Sequence, residues 1–160
     1  MNDLWSLNPH SSKWTEFPVN GGWPSGRVQH GLTGTGSKLY LFGGYSHARR
    51  GSLGDLWAFT TATSSWAQLA AGPSTRYMHG FASSGGLLYV LGGWTSRGGG
   101  AEVHDFWSYD PAQDAWSDRT SSMQGSMTWP RWWVLLDVAG ELLSVHMEPE
   151  AVAVAGAPAP

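Results

Sequence analysis

Cysteine is absent from the chain, which excludes disulfides, thiolate nucleophiles and every metal site built on sulfur. Charge is scarce as well. Asp, Glu, Lys and Arg together make 13% of the 160 residues, about half of the ~25% usual in globular domains. With a formal net charge of −3, nothing draws the chain to nucleic acid or to an anionic membrane surface. No uninterrupted apolar run approaches the ~20 residues of a membrane-spanning helix. The opening residues, Met1-Asn2-Asp3-Leu4-Trp5, carry neither a basic region nor an apolar stretch of the secretory kind, so the expected compartment is the cytoplasm. Helix-forming residues at helical spacing are missing until the last ten positions.

What the chain has in quantity is Gly (22), Pro (9) and Trp (11), within a hydrophobic fraction of 41%. Such a composition predicts many short strands joined by tight turns around a real core. Internal repeats organise it. Asp3-Leu4-Trp5-Ser6-Leu7 returns as Asp55-Leu56-Trp57-Ala58-Phe59 and again as Asp105-Phe106-Trp107-Ser108-Tyr109, at spacings of 52 and 50 residues. Nine residues after each of those tryptophans stands a second one: Trp14, Trp66 and Trp116. A further block recurs 49 residues apart, Arg27-Val28-Gln29-His30-Gly31 against Arg76-Tyr77-Met78-His79-Gly80. Downstream of it, Leu39-Tyr40-Leu41-Phe42-Gly43-Gly44 matches Leu88-Tyr89-Val90-Leu91-Gly92-Gly93.

The double glycine, the Trp-bearing strand, the second Trp and the Arg ahead of the first strand together resemble the kelch repeat over roughly residues 2–147. Its period of ~50 residues and four strands per blade fit. The resemblance implies an all-β fold, a partial kelch-type β-propeller with about three blades' worth of four-stranded antiparallel sheets. Strand a follows Arg27 and Arg76, strand b covers 39–42 and 88–91, strand c covers 56–59 and 106–109, and strand d starts at Trp66 and Trp116. The chain then divides into strands c and d of an incomplete blade (2–19), two full blades (24–70 and 73–120), degenerate strands a and b (130–147) and a disordered Ala/Pro tail (148–160). Glycine at the end of strand b lets crowded backbones approach, so Gly92 is expected to refuse a side chain that Ser96, in a loop, would accept. The six repeat tryptophans are read as filling the space between blades.

Three blades cannot close a ring, since propellers use four to eight. Either the chain is part of a larger propeller, or two copies form a homodimer that completes a six-bladed ring. The degenerate last repeat, with His146 and Met147 in place of the glycines, favours the former.

Chemistry-bearing clusters are few. His30 and His79 recur on strand a and are each expected to hydrogen-bond a neighbouring blade. Glu102, His104 and Asp105 alternate between two faces of an extended segment and do not converge on a metal, and Asp105, repeated as Asp3 and Asp55, reads as a turn residue capping the start of strand c. No metal, no cofactor and no catalytic residue is assigned, so the chain is expected not to be an enzyme. The iron-dependent specifier proteins, also kelch propellers, use a Glu/Asp/His spacing that this chain does not reproduce. Carbohydrate binding through Trp94, Trp129, Trp132 or Trp133, and a purely structural role within a larger assembly, are competing readings.

The b–c loops, 45–51 and 94–100, carry more information. Each starts on an aromatic and contains Arg, and each exceeds what a tight hairpin needs. The run Gly98-Gly99-Gly100 reads as flexible. In the family the chain resembles, b–c and d–a loops share a rim that contacts partner peptides. That implies a cationic, aromatic-edged surface of Arg27, Tyr45, His47, Arg49, Arg50, Arg76, Trp94, Arg97 and Arg131, serving a protein partner through an acidic peptide.

Overall fold

Short apolar runs bounded by glycine dominate the computed structural model, which describes residues 3–18, 22–124, 134–139 and 142–147. The first pair of strands, β1 (Trp5–Asn8) and β2 (Lys13–Glu16), forms an isolated hairpin. The first full blade has β3 (Gly31–Thr35), β4 (Lys38–Phe42), β7 (Leu56–Thr60) and β8 (Ser65–Gln68) in that spatial order, all antiparallel. Between β4 and β7 the chain makes two further two-residue strands, β5 (Tyr45–Ser46) and β6 (Gly51–Ser52). The second blade repeats the plan with β9 (Gly80–Ser84), β10 (Leu87–Leu91), β13 (Phe106–Asp110) and β14 (Ala115–Asp118), interrupted by β11 (Trp94–Thr95) and β12 (Ala101–Glu102). A last hairpin pairs β15 (Val134–Ala139) with β16 (Leu142–Met147). The architecture is that of a partial kelch β-propeller.

Blade centres explain the sequence pattern. A strand covered on both faces by neighbouring blades has no polar side to show, and so β4 and β10 read as nearly continuous apolar runs. The outermost strands β8 and β14 are mostly exposed and polar. Between the two blades lies the core, built on Tyr40, Phe42, Leu56, Phe81, Leu88, Val90 and Tyr109. Phe42 projects across the seam against Phe81 and Trp116, ring centroids 5.9 and 5.2 Å apart. Gly31 makes that seam close: a Cβ there would lie 2.4 Å from the Cβ of Phe81. Trp116 also donates its indole N–H across the seam to the Ala70 carbonyl (3.3 Å), as expected of an inter-blade filler. Trp5 and Trp14 differ, being 47% and 60% exposed, because no blade covers them among the described residues.

The degenerate repeat is a regular hairpin. Where strand b of the full blades stops at a double glycine, β16 continues through His146 and Met147, which pair with Leu135 and Val134. The Ala/Pro tail lies outside the described residues.

Candidate functional site

The b–c segments are not loose loops. In each blade the small hairpin, β5–β6 or β11–β12, is extended by the d–a loop. Val28 and Tyr45 exchange backbone hydrogen bonds of 3.0 and 2.8 Å, and Tyr77 and Trp94 exchange two of 2.9 Å. Each rim segment is therefore a miniature sheet standing on its blade. Neighbouring miniature sheets are joined by hydroxyls: the Ser52 amide donates to Ser96 Oγ (2.7 Å), the Ser96 amide to Ser52 Oγ (3.1 Å), and the Ser52 hydroxyl donates to Thr75 (2.9 Å). Ser96 is thus half of an inter-blade latch rather than an indifferent loop position. The glycine run likewise takes a defined course. Arg97–Gly99 form a 3-10 turn, and Gly100, at φ 93, leaves no room for a side chain, since a Cβ would lie 2.9 Å from Trp94 Nε1.

Two of the expected surface cations are removed from the rim. Arg76 is fully buried. Its guanidinium grips Asp105 with both nitrogens (Nη1–Oδ1 2.6 Å, Nη2–Oδ2 2.8 Å) and donates to the Gly92 carbonyl (3.0 Å). Arg27 does the same with Asp55 (2.7 and 2.8 Å) and the Gly43 carbonyl (2.9 Å). Trp57 and Trp107 donate their indole N–H to the same carboxylates, at 2.6 and 2.9 Å. Asp55 and Asp105 are accordingly anchors of a buried ion pair, not caps of a turn. The reason is geometric: the planar fork matches a carboxylate and satisfies the strand-end carbonyl at once. Burial acts to raise the Asp55 pKa, but hydrogen bonds from Arg27 and Trp57 and the charge of Arg27 hold it below its ordinary value.

His79 also departs from expectation. It is buried with neither ring nitrogen hydrogen-bonded among the described residues, and it packs edge-on against Phe42, centroids 5.1 Å apart. Burial, with the charge of Arg76, lowers its pKa to about 3, so the ring is neutral and serves as a packing element. His104 pairs with Glu102 at 3.1 Å. No group of three His, Asp or Glu side chains converges among the described residues.

What remains on the rim is a compact exposed group. The turn His47–Arg50 crowns the β5–β6 hairpin, closed by an Arg50 amide to His47 carbonyl bond (3.3 Å), and its residues are exposed. Neither Arg49 nor Arg50 has an acidic partner among the described residues. Behind them Tyr45 contacts His47 and Tyr77 edge-on, at 5.3 and 5.4 Å. Arg49 also stands at a cleft of about 590 Å³ whose walls include Trp23, Ser25, Trp57 and Gln68. Repeat reading misses those four, because Trp23, Ser25 and Gln68 carry no distinctive spacing and Trp57 counts as a structural filler. Trp94 lies half-buried on the neighbouring miniature sheet. The Arg97 side chain and Arg131 lie outside the described residues, as do Trp129, Trp132 and Trp133.

No helix among the described residues is long and apolar enough to cross a membrane. Compared with known families, residues 1–146 match the model described as the KLHDC2/KLHL20/DRC7 Kelch-repeats domain. Compared with curated proteins, the chain finds no match.

Proposed function

The chain belongs to the kelch-repeat family, and from that premise we propose that its b–c rim recognises an acidic peptide segment of another protein. Kelch-repeat domains are generally non-catalytic interaction modules, and a protein-interaction role is the general function of this one. The observation that carries the finer reading is the pair of unmatched cations, Arg49 and Arg50, held at the tip of a hydrogen-bonded hairpin beside Tyr45 and His47. Exposed arginines on a preordered element cost little further ordering when they bind, and aromatic neighbours exclude water around the contact. Trp94 extends the surface onto the next miniature sheet. Arg27 and Arg76 support it from below by fixing the strand ends from which the hairpins spring.

A charge-assisted hydrogen bond contributes about 1.5–3 kcal/mol, so losing both arginines removes roughly a hundredfold or more in affinity. Fluorescence anisotropy with labelled Asp/Glu-rich and Lys/Arg-rich decapeptides tests this. The expected result is selective, salt-sensitive binding of acidic peptides that the variant Arg49→Ala/Arg50→Ala loses. Equal binding by that variant, or preference for basic peptides, overturns the proposal.

A further inference from the structure

We propose that Ser52 is the phosphoryl acceptor for an arginine-directed Ser/Thr protein kinase, and that its phosphate opens the latch between the two miniature sheets. The proposal does not require the acidic-peptide reading. Arg49-Arg50-Gly51-Ser52-Leu53 places arginines three and two residues before a hydroxyl and an apolar residue directly after it. Kinases select substrates by such charge patterns, because acidic groups beside their active site pair with cations at fixed distances from the acceptor. Arg49-Arg50 is the sole arginine pair in the chain, so no other Ser or Thr carries both cations. Ser122 has Arg119 three residues before it but Thr120 at the second position.

The fold presents this segment. Arg49 and Arg50 are exposed on the turn, and the acceptor follows in β6, whose backbone is already extended, as a kinase takes its substrate. β6 pairs with β5 over only two residues, and an element with so few ladder bonds opens locally at small cost. Gly51, Ser52 and Leu53 line the cleft of about 590 Å³ beside Arg49, so the half-buried hydroxyl is approached from solvent. Ser52 stands opposite Tyr45, and the matching position opposite Trp94 in the neighbouring miniature sheet is Glu102. A negative side chain is therefore compatible with this place in the hairpin. The neighbouring sheet has Gly99 and Gly100 where the first has Arg49 and Arg50, and it carries no such acceptor.

The Ser52 hydroxyl is also where the two sheets meet. Its Oγ donates to Thr75 Oγ1 (2.9 Å), accepts from the Ser96 amide (3.1 Å) and lies 3.0 Å from Ser96 Oγ and 3.5 Å from Thr95 Oγ1. Phosphoryl transfer joins Ser52 Oγ to the γ-phosphorus of ATP and breaks the bond from that phosphorus to the β,γ-bridging oxygen. ADP leaves, and the hydroxyl proton passes to the catalytic carboxylate of the kinase. The seryl oxygen then has no proton for Thr75. Three phosphate oxygens carrying a charge of about −1.5 to −2 do not fit among the hydroxyls of Thr75, Thr95 and Ser96. They turn into the cleft, where Arg49 is the adjacent cation. The Ser96 amide loses its acceptor, and the sheets part.

The test incubates the folded chain with Mg·ATP and a purified kinase that requires arginine at those two positions, and maps the product by mass spectrometry. One phosphate, on Ser52, is expected. Ser52→Ala is expected to abolish incorporation, and Arg49→Ala/Arg50→Ala to slow it roughly a hundredfold. Hydrogen exchange at the Ser96 amide is expected to rise roughly fivefold or more on phosphorylation. If Ser52→Ala does not fold, the double arginine variant decides, since it leaves every latch hydroxyl in place. The proposal is overturned by absent incorporation, by incorporation elsewhere or only into urea-unfolded chain, by a rate indifferent to both arginines, or by unchanged Ser96 exchange.

Discussion

At position 76 a guanidinium has no water to fall back on, and its charge is balanced only by Asp105. Removing one partner of such a pair leaves an uncompensated buried charge, which costs about 3–5 kcal/mol. Arg76→Met should therefore lower the urea midpoint severely. Arg76→Lys should lower it nearly as far, because an ammonium cannot reproduce the two-pronged contact and the Gly92 bond together. Arg49→Lys, on the exposed turn, should stay within about 0.5 kcal/mol. His79 gives a different signature. Its neutral form is favoured in the fold, with a pKa of about 3 against ~6.5 unfolded. Its contribution is fully present above pH 6.5 and is lost as pH falls from there towards 3. His79→Leu should remove close to one proton from the slope of stability against pH between 6 and 4, measured by urea titration at each pH. An unchanged slope would show that His79 takes up its proton at the same pH in the fold as in the unfolded chain, and so is not held neutral by burial.

At the scale of single elements, the rim hairpins depend on one glycine and one serine. Gly93, at φ 104, sits where a Cβ would lie 2.7 Å from the Cβ of His79 and 2.9 Å from the Tyr77 carbonyl oxygen. Gly93→Val should abolish soluble expression. Ser96→Val, which removes the acceptor of the Ser52 amide, should retain the fold yet raise hydrogen exchange at Ser52 by roughly fivefold, the effect of losing one hydrogen bond of about 1 kcal/mol. Unchanged exchange at Ser52 would mean the latch does not hold the two miniature sheets together.

Across the whole molecule, stability resides in seams between blades rather than in any one sheet. Each four-stranded sheet has two apolar faces, and neither can be covered from within. Phe42 reaches across the only seam between two full blades among the described residues. Phe42→Ala should cost about 3–5 kcal/mol and should destabilise β9–β14 as well as β3–β8, measured by exchange protection in both blades. Loss confined to the first blade would show that the blades fold independently.

The sequence alone determined the repeat, and with it the strand order and most strand limits. β4, for example, begins at Lys38 rather than Leu39, and β8 at Ser65 rather than Trp66. These features are local: apolar runs, turn glycines and paired tryptophans report on backbone conformation within a few residues of themselves. The exposed residues His47, Arg49 and Arg50 and the half-buried Tyr45 could be singled out on the same basis, by loop length and composition. Which arginines stay at the surface was not legible, because Arg27 and Arg76 meet their carboxylates 28 and 29 residues later, and nothing local separates a solvated Arg from a buried one. Tertiary structure alone decided that pairing, the neutral packing of His79, the Ser52–Ser96 latch and the cleft beside Arg49. Each depends on side chains brought together from different strands or blades, a proximity that only stacking of the sheets creates.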